Sequence, residues 1–157
     1  MKGCACWTAR SGRVAGTVSV AVADIVVAVR RPDDIVTARQ AGRALADDLG
    51  FSLTDVTMIA TAISEVARNI TAYAGQGEIR LLVEERGGRK ALVVQAADQG
   101  PGIDDVARAL EDGYSTGAGL GVGLPGARRL MDQLEIQSRP GHGTLVVMWK
   151  WLPPDAR

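Results

Sequence analysis

Glu65 and Asn69 stand four residues apart in the stretch TAISEVARNITAYAG, where apolar residues recur at three- and four-residue steps. That spacing puts both on one face of a helix, one turn apart. A carboxylate there can take the proton of a hydroxyl. An amide oxygen beside it can ligate a hard cation such as Mg2+, whose other ligands are phosphate oxygens and water. Read alone the pair is ordinary, because most polar pairs at this spacing form a solvated helix face. Further on, Asp98-Gln99-Gly100-Pro101-Gly102 makes a D-x-G-x-G turn. Its aspartate can accept a hydrogen bond from an exocyclic amine, and Gly100 and Gly102 leave room for a flat base beside the backbone. A plain strand-to-helix turn, with Asp104 or Asp105 near the N-terminus of a short helix, fits the same residues.

The run GYSTGAGLGVGLPG then sets Gly117, Gly119, Gly121 and Gly123 on alternate positions. So much glycine suits neither a packed strand nor a stable helix, so the run reads as a flexible loop. Residues 121–126 match G-x-G-x-x-G, but no strand immediately precedes them, and nothing reads G-K-[ST]. A glycine loop that feeds a helix N-terminus is nonetheless a reasonable lid for phosphates, because orphan N–H groups and the helix dipole both favour an anion.

The elements that must position these residues follow from periodicity and punctuation. A first strand is expected within residues 17–30, centred on 25–30 and stopped at Arg31-Pro32. A first helix runs from Asp33 to Gly50, and a second, capped by Ser52 or Thr54, carries Glu65 and Asn69 and ends near Ala74-Gly75. Residues 79–85 and 91–97 read as strands joined by a tight hairpin at Gly87-Gly88, the second strand delivering Asp98 at its end. After a short helix at 106–111 and the glycine loop, helical spacing resumes through Leu124, Ala127, Leu130, Met131 and Leu134. Residues 135–138 and 144–151 form a last hairpin, whose turn holds the lone His142, read as exposed. Trp149 and Trp151 are expected to put one ring on each face of that strand, one in the core and the other on a contact surface.

The chain of 157 residues is sized for one domain: an extension at 1–16, expected to be poorly ordered, a domain at 17–152 and a tail at 153–157. Eighteen basic residues balance eighteen acidic ones, so no electrostatic footprint argues for nucleic acid. No apolar run is long enough to span a bilayer, and MKGCACW lacks the apolar core of a signal peptide, which makes a cytoplasmic location the expectation. Cys4 and Cys6 have no second pair with which to build a zinc site. The lysines are Lys2, Lys90 and Lys150, none near the glycine loop.

Taken together, Glu65-x-x-x-Asn69, Asp98-x-Gly100-x-Gly102, the Gly117 to Gly123 loop and Gly143-Thr144 resemble, in order, the N, G1, G2 and G3 boxes of the GHKL (gyrase, Hsp90, histidine kinase, MutL) ATP-binding superfamily. The stretches DDIVTARQAGRALADDLGF, TAISEVARNITAYAG, DQGPGI, EDGYSTGAGLGVGLPGARRLMD and KWL resemble more narrowly the switch serine/threonine kinases of the bacterial stressosome, over about residues 25–152. The resemblance implies an α+β fold, a two-layer α/β sandwich of the Bergerat type, with a mixed, mainly antiparallel sheet and helices on one face.

It also implies roles. Glu65 would be the catalytic base; Asn69 would bind the Mg2+ bridging the ATP phosphates; Asp98 would hold the adenine amine; Gly100 and Gly102 would give clearance beside the base. Gly117, Gly119, Gly121 and Gly123 would close over the phosphates, and Thr144 would support the adenine side. Arg68 matches an arginine that precedes the box asparagine, with a phosphate contact and a helix salt bridge both open, and Tyr73 lies where it could flank the nucleotide. The implied substrates are STAS-domain antagonist or scaffold proteins, and the implied partner on release is a PP2C-type phosphatase. An anti-sigma factor kinase that binds a sigma factor, or a non-catalytic ATP-dependent binding module, are the alternatives.

Overall fold

The computed structural model describes residues 23–111 and 123–155. The expected extension at 1–16, and most of the glycine loop, lie outside the described residues.

Strand β1 (Asp24–Val29) leads into α1 (Pro32–Asp48), with the proline in the first turn, where its missing N–H costs nothing. The carboxylate of Asp34 reaches back to accept the N–H groups of Arg30 at 2.9 Å and Arg31 at 3.0 Å. Those two bonds, Arg30 first, hold its carboxyl below the ordinary value near 3.8. Ser52 caps α2 (Leu53–Asn69), its hydroxyl accepting the Asp55 N–H at 3.1 Å. The apolar steps along α2 become a buried face of Val56, Ile59, Ile63 and Val66 packed on the sheet and on α1. The helix then widens into one π-turn, Ile70–Ala74, before Gly75 stops it.

Strands β2 (Gly77–Arg86) and β3 (Arg89–Asp98) form the expected hairpin, with Arg86 paired to Arg89. Gly87 and Gly88 both take positive φ, +57° and +75°, as a two-residue turn between twisted strands requires. A four-residue helix α3 (Val106–Ala109) is capped by Asp105, and α4 (Gly123–Leu130) precedes β4 (Gln133–Ser138) and β5 (Thr144–Trp151). The sheet order is β1-β2-β3-β5-β4. Every pairing among the described residues is antiparallel, in keeping with the mainly antiparallel sheet expected. The helices cover one face, and the core lies between them and Leu81, Leu92, Val94 and Met148. Among the described residues no helix is long and apolar enough to cross a membrane.

Two expectations are corrected. Helical spacing suggested that the helix after the glycine loop extends to Leu134, but α4 ends at Leu130. Lys150 caps it there, donating to the Leu130 carbonyl at 3.1 Å, and Asp132 turns the chain into β4 by giving its N–H to the Trp149 carbonyl and accepting the Trp151 N–H. Leu134 instead pairs with Met148 on the core side of the sheet. Trp149 and Trp151 do not straddle the sheet. Residues two apart on a strand share a face, and both rings lie with Ala91, Val93 and Val147 on the side without helices. Trp149, opposite Val93 of β3, reaches across it to donate its Nε1–H to Glu84 of β2 at 3.3 Å, while the Arg89 guanidinium sits 5.5 Å from the Trp151 ring centroid.

Candidate active site

Among the described residues the only buried polar or charged side chains are Ser64 and Glu65. Ser64 is satisfied within its helix by the Ala60 carbonyl. Glu65 is different, because a carboxylate held out of water must find donors. It has two. Oε1 accepts from Nη1 of Arg68 at 2.7 Å, and Oε2 accepts the backbone N–H of Gly123 at 3.1 Å, the first residue of α4. The carboxylate thus joins two elements 58 residues apart in sequence. Asn69, half-buried, occupies the next turn of the same helix, and the π-turn that follows leaves Tyr73 about half exposed, at 53%. Single π-turns inserted in helices are concentrated at functional sites.

The D-x-G-x-G turn is fixed from three sides. Asp98 ends β3 between Gly77 and Thr144, and its Oδ1 accepts the Gly100 N–H at 2.9 Å. A side chain on Gly100 would collide with Ala74 of the π-turn, its Cβ only 2.6 Å from that of Ala74. Gly102 sits at φ +77°, with the Arg139 carbonyl occupying the space where a Cβ would go. The turn between β4 and β5 holds the other side, through the Gly141 N–H donated to the Pro101 carbonyl at 2.7 Å. Ser138 completes the staple. Its hydroxyl accepts the Ile103 N–H at 2.8 Å, donates to the Gly143 carbonyl at 3.0 Å and lies 2.9 Å from the Thr144 hydroxyl.

Of the residues singled out in the sequence, the fold therefore brings Glu65 and Asn69 together on α2, sets Gly123 against Glu65, and gathers Asp98, Gly100, Gly102 and Thr144 at the ends of β3 and β5. The π-turn connects the two groups through the contact of Ala74 with Gly100. Gly117, Gly119 and Gly121 lie outside the described residues. His142 is exposed in the last turn, as expected. Ser138 and Ala74 escaped the sequence reading. A serine at a strand end and an alanine at a helix end carry no local signal, and their importance comes from what the fold sets against them. Among the described residues no cluster of three His, Cys, Asp or Glu side chains could hold a metal ion.

Among the described residues, a five-stranded antiparallel sheet with helices on one face, a buried glutamate with a half-buried asparagine one turn on, and an aspartate-glycine turn beside them define a class. The chain belongs to the histidine kinase-like ATPase domain family, whose model matches residues 28–150. Within it, the chain is 52% identical over 119 residues to the serine/threonine-protein kinase RsbT of Bacillus subtilis (strain 168), covering 76% of this chain and 90% of that protein. It is 30% identical over 123 residues to the anti-sigma F factor of Thermoanaerobacter sp. (strain X514), covering 75% and 85%. A crystal structure of the RsbU and RsbW domains of Rv1364c from Mycobacterium tuberculosis shares the fold at a TM-score of 0.58 and 18% identity, over 83% of this chain and 33% of that one.

Proposed function

We propose that this chain is an ATP-dependent serine/threonine protein kinase of a partner-switching module. The observation that carries the reading is the buried carboxylate of Glu65, pinned by two donors and one turn from Asn69. Binding a nucleotide needs no buried base, whereas transferring phosphate to a hydroxyl is accelerated by one. A carboxylate offers about four lone-pair sites, so Glu65 keeps capacity to accept a substrate proton while both donors stay in place.

In the reaction, the substrate hydroxyl oxygen bonds to the γ-phosphorus as the bond from that phosphorus to the β–γ bridging oxygen breaks. The hydroxyl proton passes to Glu65, and ADP leaves. Asp98 would accept from the adenine amine, and Asn69 would be the protein ligand of Mg2+, which would supply charge neutralisation on the phosphates. The D-x-G-x-G turn and Thr144, stapled together by Ser138, hold the adenine side rigid. Gly123 lies where the glycine loop enters α4.

The substrates fitting this reading are serine or threonine residues of STAS-domain antagonist or scaffold proteins, and the released kinase binds and activates a PP2C-type phosphatase. Identity of 52% to a protein named a serine/threonine-protein kinase, against 30% to one named an anti-sigma factor, supports kinase action over sigma-factor capture. The test is transfer of labelled γ-phosphate from Mg-ATP to STAS-domain proteins encoded beside this chain. Glu65→Ala is expected to lower transfer by roughly 10²–10⁴-fold with ATP affinity little changed, the usual contribution of a general base. Asn69→Ala is expected to remove Mg2+-dependent nucleotide binding as well. Wild-type transfer by Glu65→Ala would refute the assignment.

A further inference from the structure

We infer that Arg68 is a positioning residue for the catalytic base, and not a ligand of the ATP phosphates. The inference rests on the kinase reading above. Arg68 stands three residues beyond Glu65 on α2, and its Nη1 lies 2.7 Å from Oε1 of a carboxylate whose side chain is only 9% exposed. Arg68 itself is 51% exposed, so its charge stays in water while one N–H reaches inward. This asymmetry matters. A buried ion pair pays desolvation on both partners, whereas here only the carboxylate pays it.

The pair also has a direction. Gly123 N–H holds Oε2 from α4, and Arg68 holds Oε1 from within α2, so the two donors bind different oxygens and together fix the plane of the carboxylate. With Gly123 alone, the group could swing about a single hydrogen bond. A base acts only when its lone pair meets the substrate hydroxyl at hydrogen-bonding distance, and misplacement by about 1 Å costs around 10²-fold.

The experiment is a kinetic cycle on the full chain with Mg-ATP and a STAS-domain substrate, using Arg68→Met, Arg68→Lys, Glu65→Gln and the pair Glu65→Gln with Arg68→Met. Thermal unfolding of each variant verifies that it folds. Arg68→Met is expected to lower kcat about tenfold or more while the KM for ATP stays within about twofold. Arg68→Lys, which keeps the charge without the planar fork, is expected to fall between it and wild type. In the Glu65→Gln background, Arg68→Met is expected to change the residual rate by less than about twofold, because a residue acting through another has nothing left to act on. A raised KM for ATP with kcat kept would overturn the inference in favour of a phosphate contact. An equal fractional loss in both backgrounds would overturn it too. No transfer by the wild type would defeat the kinase reading itself, and full transfer by Glu65→Gln would defeat the assignment of Glu65 as its base; both show before any Arg68 variant is compared.

Discussion

Replacing Gly102 by alanine offers a measurement in which two costs can be separated. At φ +77° an L side chain pays about 1–2 kcal/mol for the left-handed conformation. The new Cβ would also press on the backbone of Arg139 and lie 3.2 Å from the Pro140 Cα, so relief must come from moving main chain, at about 1–3 kcal/mol more. Gly141, in the facing turn, has nearly the same φ, +78°, and nothing within 4 Å of its virtual Cβ. Gly141→Ala therefore carries the conformational cost alone. Urea unfolding is the assay. With a slope of about 1–3 kcal/mol per molar for small domains, Gly141→Ala is expected to lower the midpoint by roughly 0.5 M, and Gly102→Ala by about 1–2 M. ATP affinity should fall with the second substitution and hold with the first, because Gly102, unlike Gly141, is wedged between the Asp98 turn and the last hairpin. Equal midpoints would refute the close approach of the two turns, and with it the account of how the adenine side is held.

Two further outcomes follow from the same geometry. Ser138→Ala strands the Ile103 N–H and frees the Thr144 hydroxyl, and is expected to cost about 1–3 kcal/mol in urea unfolding, with weaker ATP binding. Asp34→Asn tests the carboxylate at the start of α1. Its pKa is depressed by the Arg30 and Arg31 N–H bonds, so the stability it adds is fully present above its unfolded value near 3.8 and disappears as pH falls through the lower folded value. The stability gap between wild type and variant, from unfolding curves at pH 3 to 6, should therefore be constant at the upper end and close at the lower.

Most of the scaffold was legible because its signals are local. Paired glycines at 87 and 88 demand a tight hairpin, Ser52 announces a helix, and the steps from Val56 to Ile70 admit only one buried face. Leu134 misled because a short apolar residue at helical spacing is equally at home on a strand, and Asp132, anchored to β5, decides between them. The tryptophans were misassigned on geometry the strand period already excludes. The site was legible as residue types but not as contacts. Nothing near Glu65 in sequence says that Gly123 will donate to it, and nothing in the D-x-G-x-G turn says that its glycines are required by Ala74 and Arg139 as well as by any bound base.

The strand order has a consequence for how the molecule comes off the ribosome. Synthesis proceeds from the N-terminus, so the strands become available for pairing in chain order. Strands β1, β2 and β3 are consecutive neighbours and can pair as they appear, together with the helices that bury Glu65. β4 cannot join them, because its place is beyond β5, and β5 is made later. Asp98 consequently waits for Thr144, and Ile103 for the arrival of Ser138 on a paired strand. A nascent chain long enough to present Glu65 and Asn69 still lacks the β5 neighbour of Asp98. The pairing of Asp98 with Thr144, in the interior of the finished sheet, is thus among the last that vectorial synthesis allows to form.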